Sequence, residues 1–369
     1  MFLILQPCIP KYRLPFYQKV AELAPKLIKI LSSDFDADGL KSVATNSSGI
    51  EFEYCLKEHR LFFGKLLWQQ GIPFKSLNNY QGIVITGNPR YLSNYLVLLI
   101  CKLKGKPVYW YGQGWSAKTS NLSFKIRLSI MKLFDGVILY TESDFEKVRE
   151  HFSDLSRLTY LNNGLDYNSI QKNLKIALEE PTPLKVARED QLNLVFIGRI
   201  NEKSNLLFVL KALQKTDLPI HFTIIGDGEL LGACENLTFP SSVSVEFTGA
   251  LYEESHIAKH LAHCDFFVYG GAVGLSLIHA FSYNVPAIVH SNKKEHMPEI
   301  AALTEGENGL CFEKLDMQSF LNTLSKAFSV KTAGELSRYK ANSGRVAKEK
   351  FNVNFMASQL VDFLERSPR

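Results

Sequence analysis

The chain has 369 residues and a formal net charge of +5, and its 46% hydrophobic and 21% charged content is ordinary for a soluble globular protein. That length fits about two domains, each with a proper core. Six scattered cysteines (8, 55, 101, 234, 264 and 311) form no CxxC pair and no His/Cys ligand spacing, which argues against a structural zinc and for reduced thiols in a cytosolic setting.

Taken in chain order, Phe2–Gln6 reads as an apolar strand broken by Pro7 and Pro10, and a helix follows from about Pro15 with Phe16, Val20 and Leu23 on one face. Leu27–Ser32 reads as a strand and residues 33–50 as a polar loop. Strand Gly82–Thr86 ends in Gly87-Asn88, helix Leu92–Leu103 follows, and strand Pro107–Tyr111 ends in Gly112-Gln113-Gly114. A basic amphipathic helix over Phe124–Leu133, strand Gly136–Tyr140, helix Asp144–His151 and strand Leu158–Leu161 complete the first half. The stretch EEPTPLKVARED, with Pro181 and Pro183, has hinge composition.

The alternation then restarts with strand Leu192–Ile197 into Gly198-Arg199, helix Leu206–Gln214, strand Phe222–Ile225 into Gly226-Asp227-Gly228, and strand Ser244–Phe247 into Gly249. Helix His256–Ala262 leads to strand Phe266–Tyr269, the cluster Gly270, Gly271 and Gly274, a helix with Leu275, Ile278 and Phe281 at helical spacing, and strand Pro286–Val289. Helices over about 317–328, 333–350 and 355–369 close the chain. Strands alternating with helices predict parallel, doubly wound sheets, whose ligands bind outside the carboxyl ends of the strands.

Charge is unevenly placed. Residues 1–180 carry 23 Lys/Arg against 16 Asp/Glu, and residues 59–134 contain eleven bases, many aromatics and no acid. Such a half suits an anionic membrane surface or an anionic acceptor, or is a solvated face with no partner; no nucleic-acid motif accompanies it. The opening MFLILQPCIPKYRL has no basic start, and the longest later apolar run, Tyr95–Cys101, is far below the roughly 18 to 20 residues that cross a bilayer. A cytoplasmic protein, peripheral at the inner face of the membrane, is the expectation.

The strand–glycine–helix turn at 266–282 offers backbone N–H groups and a helix N-terminus to a phosphate. Ser276 in the first helical turn and His279 one turn on share a face. Taken alone they are a cap and a packed or surface histidine. Arg199 and Lys203, four residues apart after a strand, can neutralise a diphosphate. His296 and Glu299 follow a strand at its carboxyl end.

The second half, through FIGRINEKS, FTIIGDGE, VEFTGAL, CDFFVYGGAVGLSLIHAFSYNVPAI, HMPEI and GENGLCF, resembles the retaining glycosyltransferases of family 4, which have the GT-B architecture. PKYRLPFYQKV, YWYGQG, FDGVILYTES and LNNGLD extend the resemblance into the first half. The resemblance implies two Rossmann-like α/β domains facing across a cleft: an acceptor domain over 1–180, a donor domain over 181–352, and a helix over 353–369 returning to the first. It implies donor contacts from Gly198, Arg199, Lys203, Asp227, Gly249, Gly271, Gly274, Leu275, Ser276, His279, His296 and Glu299, with Arg199, Lys203 and His279 catalytic. Tyr12, Arg13, Asn88 and Gln113 would lie toward the acceptor and the transferred sugar. In one respect the chain departs from the family. The usual Glu-x7-Glu pair is replaced by Gly271 and His279, and a histidine cannot copy a carboxylate's acceptor-only chemistry.

The expected reaction is metal-independent transfer of a sugar, with retention, from a UDP, GDP or dTDP donor to a hydroxyl of a lipid-linked glycan in bacterial surface polysaccharide (O-antigen or capsule) synthesis, with no cofactor. The alternatives are a nucleotide-sugar-binding scaffold and a GT-B epimerase.

Overall fold

The computed structural model describes residues 1–35, 42, 50–114, 121–180 and 190–366. It divides into two compact units, Met1–Asp166 with Val353–Arg369, and Tyr167–Asn352.

Unit 1 is built on an eight-stranded sheet of order β4-β3-β2-β1-β5-β6-β7-β8. Its strands are β1 (Phe2–Leu5), β2 (Ile28–Ser33), β3 (Glu51–Leu61), β4 (Leu66–Gln70), β5 (Ile83–Thr86), β6 (Val108–Gly112), β7 (Gly136–Leu139) and β8 (Leu158–Tyr160). Strands β1, β6 and β7 are buried along their whole length, as expected where both faces of a parallel sheet are covered. Helices α2 (Leu92–Leu103), α3 (Asn121–Met131) and α4 (Glu142–Arg149) contribute Val97, Leu128 and Val148 to the core beneath Leu3, Ile85 and Trp110. The other face packs Phe2, Ile4 and Tyr109 against Phe16 and Val20 of α1 (Leu14–Leu23). Leu23, expected on that face, is 47% exposed, because the helix ends at it.

The sequence reading of a purely parallel sheet fails at one edge. Only the start of β3 pairs with β2; from Lys57 to Leu61 it turns to pair antiparallel with β4 and forms a hairpin. The strands of this hairpin lie in a stretch of mixed polarity that carries no helical or crossover signal.

Unit 2 starts earlier than the expected residue 181. Helix α5 (Tyr167–Glu179) buries Ile170, Leu174 and Ala177, and Gln171 donates to the Ser282 carbonyl at 2.6 Å, so the helix belongs to the second core. The expected hinge at 181–189 lies outside the described residues. The all-parallel sheet has the order β11-β10-β9-β12-β13-β14, from β9 (Leu192–Ile197), β10 (Ile220–Ile225), β11 (Val243–Gly249), β12 (Phe266–Tyr269), β13 (Ala287–His290) and β14 (Gly309–Phe312). The remaining helices are α6 (Leu206–Leu213), α7 (Leu231–Glu235), α8 (Glu254–Leu261), α9 (Leu275–Ser282), α10 (Met317–Thr332) and α11 (Leu336–Lys350). Strand order reverses between β9 and β12, the kind of switch point outside whose strand ends doubly wound sheets bind ligands.

Helix α12 (Val353–Arg366) returns to unit 1, where Met356, Leu360, Phe363 and Leu364 join the core under α1. Phe363 meets the Tyr109 ring edge-on at 5.8 Å.

Candidate functional site

The carboxyl edge of the unit 2 sheet is made of backbone brought into close approach by glycines. A Cβ on Gly226 would lie 2.0 Å from the Gly198 carbonyl oxygen, and one on Gly271 would lie 2.0 Å from that of Lys203. Gly270 is similarly confined, 2.5 Å from the Asn205 carbonyl oxygen. These contacts bring the turn 199–205 down onto the end of β12, where Ala272 N–H donates to the Lys203 carbonyl at 3.1 Å. The turn is fixed from within by Ser204 and Asn201, whose side chains bond each other's backbone, and by Asn205, held at φ 51° with its amide on the Gly270 carbonyl at 3.2 Å.

Arg199 and Lys203 both project from this turn into solvent, and among the described residues neither has an ion-pair or hydrogen-bond partner. Two uncommitted cations thus stand beside the glycine cluster at the switch point, and no side chain caps the start of α9 at Gly274. Leu275 and Ser276 form its first turn. Positive charge, exposed N–H groups and a helix N-terminus together suit a phosphate or diphosphate. Asp227 caps its own turn, accepting from Gly228 N–H at 2.6 Å, while its carbonyl accepts from Ile200 N–H at 2.9 Å. Gly249, at φ 73° with open space around it, ends β11.

Gly271 stands where a family 4 enzyme would carry its first glutamate, and its surroundings explain the residue. A carboxylate there would need the Lys203 turn to withdraw, so the close backbone approach accounts for the glycine.

The two histidines expected at the donor each have partners within the protein. His296 is buried, with Nδ1 accepting from Val273 N–H at 3.1 Å and Nε2 bonded to the His290 carbonyl at 2.9 Å. Both ring nitrogens are spent on backbone, so His296 shapes the Gly270–Gly274 loop without touching a ligand through them. Accepting at Nδ1 requires the neutral ring. Burial, joined for His290 by the neighbouring His296 and Lys314, lowers both histidines, His290 to about 4. Glu299 is buried close to Gly274.

His279 is tied through Nε2 to Glu254 Oε1 at 2.7 Å, and the Tyr283 hydroxyl donates to the same oxygen at 2.6 Å. Glu254, at the start of α8, is the carboxylate the sequence reading missed. Its only signal is the acidic pair Glu253-Glu254 opening a helix, which reads as an ordinary N-terminal preference.

In unit 1 the carboxyl edge is filled by side chains. Arg13, in the 3-10 turn Lys11–Arg13, lies among Tyr12, Tyr17, Tyr111 and Tyr140, with its guanidinium 5.6 Å from the Tyr12 ring centre. The Tyr111 phenol hydrogen-bonds Arg13, yet the buried Nη1 has no partner among the described residues. Burial pushes the Tyr17 and Tyr111 phenols upward, so neither supplies an anion at neutral pH. Asn88 Oδ1 closes a local turn by accepting from Arg90 N–H at 3.1 Å. The Gln113 carbonyl is held by Arg127 Nη1 at 3.0 Å. The large depressions of unit 1, of 880 and 730 Å³, lie at the opposite, amino-terminal edge beside Pro107 and Asp135 and are not the ligand crevice of such a sheet.

Residues 191–329 match the model of the family described as Glycosyl transferases group 1. Among solved structures, the chain superposes on the Anabaena protein HepE in complex with UDP and glucose, with a TM-score of 0.63, 13% identity and 99% of both chains covered. It superposes on the lipopolysaccharide outer core galactosyltransferase WaaB (TM-score 0.68, 12% identity, 99% of both chains) and on sucrose-phosphate synthase from Thermosynechococcus elongatus (0.64, 12%, 99% and 98%). The fold is GT-B. No curated protein matches by sequence. The match lies within unit 2 and includes its glycine-lined edge, and the GT-B neighbours extend over both units.

Proposed function

We propose that the chain is a glycosyltransferase that takes a sugar from a nucleoside diphosphate donor held by unit 2 and passes it to a hydroxyl of a glycan acceptor held by unit 1. The observation that carries this reading is the pair of uncommitted cations, Arg199 and Lys203, standing over a glycine-lined switch point inside the matched segment. That a GT-B neighbour was solved with UDP and glucose supports a UDP-sugar as the first donor to try.

In this reading the acceptor oxygen attacks the anomeric carbon, the bond from that carbon to the diphosphate oxygen breaks, and the hydroxyl proton passes to a donor phosphate oxygen. Arg199, Lys203 and the α9 N-terminus stabilise the charge that develops on the leaving diphosphate, the interaction that strengthens toward the transition state. These groups make the step metal-independent, and the configuration is retained as in family 4. His279 acts with Glu254 as one unit: the carboxylate fixes the ring, and the pair replaces the single glutamate of the family at this helix position. The basic unit 1, together with the neighbour that acts on lipopolysaccharide, supports a lipid-linked acceptor in bacterial surface polysaccharide synthesis, met at the inner face of the membrane. Among the described residues no helix is long and apolar enough to cross a bilayer.

The test is a thermal-shift screen of UDP, GDP, dTDP and CMP against wild type and Arg199→Ala. One diphosphate, at about a hundred times its dissociation constant, stabilises wild type by roughly 2.7 kcal/mol, and Arg199→Ala abolishes the shift. If no nucleotide shifts the wild type, the reading falls and the scaffold alternative replaces it.

A further inference from the structure

The β3–β4 hairpin ends in the sequence Leu61-Phe62-Phe63-Gly64-Lys65-Leu66. Phe62 is 68% exposed and Phe63 fully so. Both are held in the left-handed region, at φ 49° and 56°, before Gly64 at 80°. Bulky side chains adopt that conformation at a cost, and two in succession with their rings in water combine strain with exposed apolar surface. Nothing in the core explains them.

The tip is not loose. Arg90, from the loop after β5, reaches across to the Gly64 carbonyl and to the Lys65 carbonyl at 2.9 Å, and its own carbonyl accepts from Leu67 N–H at 2.8 Å. The tip also lies at the carboxyl side of the sheet. Strand β3 runs parallel to β2 and continues for five residues, Lys57 to Leu61, beyond the last β2 pairing, and Leu67 bridges to Tyr91 just after the carboxyl end of β5. The aromatic tip is thus held by the loop that follows the carboxyl end of β5, at the edge on which Arg13 and its tyrosines lie.

Charge at the tip has one sign. Lys57, Arg60, Lys65 and Arg90 are exposed on the hairpin and its brace, whereas Glu58, the acid among them, is engaged by the Tyr91 hydroxyl. Braced aromatics ringed by cations match a bilayer with anionic headgroups: the rings enter the acyl boundary and the bases pair with phosphates.

We propose that the Phe62–Phe63 hairpin tip is a membrane-insertion element that seats the carboxyl edge of unit 1 on an anionic lipid surface. This deepens the lipid-linked acceptor reading and rests on it for its purpose, but its test is independent of donor chemistry.

The experiment is vesicle co-sedimentation of the full chain, wild type against Phe62→Ser/Phe63→Ser and Lys57→Gln/Lys65→Gln. Phosphatidylcholine vesicles with and without phosphatidylglycerol are the probes. Because all four side chains are on the surface, the variants keep the wild-type melting temperature and the wild-type nucleotide shift. Wild type partitions to phosphatidylglycerol vesicles, the phenylalanine variant binds about tenfold or more weakly, and the lysine variant loses the dependence on anionic lipid. A phenylalanine variant that binds as wild type does would overturn the proposal. So would light scattering showing that the wild type self-associates through the tip and the variant does not. Loss of vesicle binding with an intact nucleotide shift, or the reverse, tells failure of this inference from failure of the transferase reading.

Discussion

The carboxyl edges of the two sheets solve the same architectural problem in opposite ways. In unit 2 glycines strip side chains away, so that carbonyls and N–H groups pack at contact, and two cations over them have no partner among the described residues. In unit 1 a half-buried arginine fills the same edge among four tyrosines. A backbone-lined edge recognises a group common to many ligands, such as a diphosphate, because N–H geometry is fixed by the fold. A side-chain-lined edge is free to vary with the acceptor. The difference teaches where to look for shared chemistry and where for specificity.

Gly271→Val would break the comparison most severely. The new side chain meets the Lys203 carbonyl and forces the turn off β12, so a stability loss of about 2–4 kcal/mol by denaturant titration accompanies loss of the nucleotide shift. If Gly271→Val melts and binds nucleotide as wild type does, backbone approach is not what shapes that edge.

A pH titration tests the support beneath the loop. His290 and His296 are both depressed in the folded state, so the native fold favours the neutral rings and the unfolded chain takes up the protons first. Stability is therefore full above about pH 6.5 and falls as the pH drops toward about 4, by up to about 3 kcal/mol for His290. His290→Phe should flatten that slope in melting temperature against pH; an unchanged slope would assign it to other groups.

The smallest effect sharpens the other half. A guanidinium with no carboxylate partner among the described residues, and with its Nη1 buried without a hydrogen bond, contributes little stability, so Arg13→Met should change the ligand-free unfolding free energy by less than about 1 kcal/mol while lowering turnover with an anionic acceptor. A loss of several kcal/mol would instead reveal a carboxylate partner for Arg13.

Much of the frame was legible because it rests on short-range patterns. Buried strands such as Leu192–Ile197, and the glycines after them, announce a parallel sheet and its ligand edge. The β3–β4 hairpin escaped because its strands are half exposed and its turn, Phe-Phe-Gly, has none of the Asn-Gly or Asp-Gly chemistry that marks hairpins. The unit boundary was placed after α5 instead of before it because only contacts distant in sequence, such as Gln171 with Ser282, decide which core a helix joins. Pairings such as His296 with Val273 and Glu254 with His279, 23 and 25 residues apart, leave no periodic trace. The spacing that placed His296 and His279 near the loop was informative; which way their nitrogens pointed was not.

The return of α12 to unit 1 also sets an order of events during synthesis. Phe2, Tyr109 and Ile138 share a core with Met356, Leu360 and Phe363, so the part of that face not covered by α1 stays open until residue 363 has left the ribosome. Unit 2 is contiguous and complete by Asn352, and so it can close first. The nascent first half must wait with an apolar groove open, and a ribosome stalled before α12 would deliver a chain that chaperones, and not water, have to keep in solution.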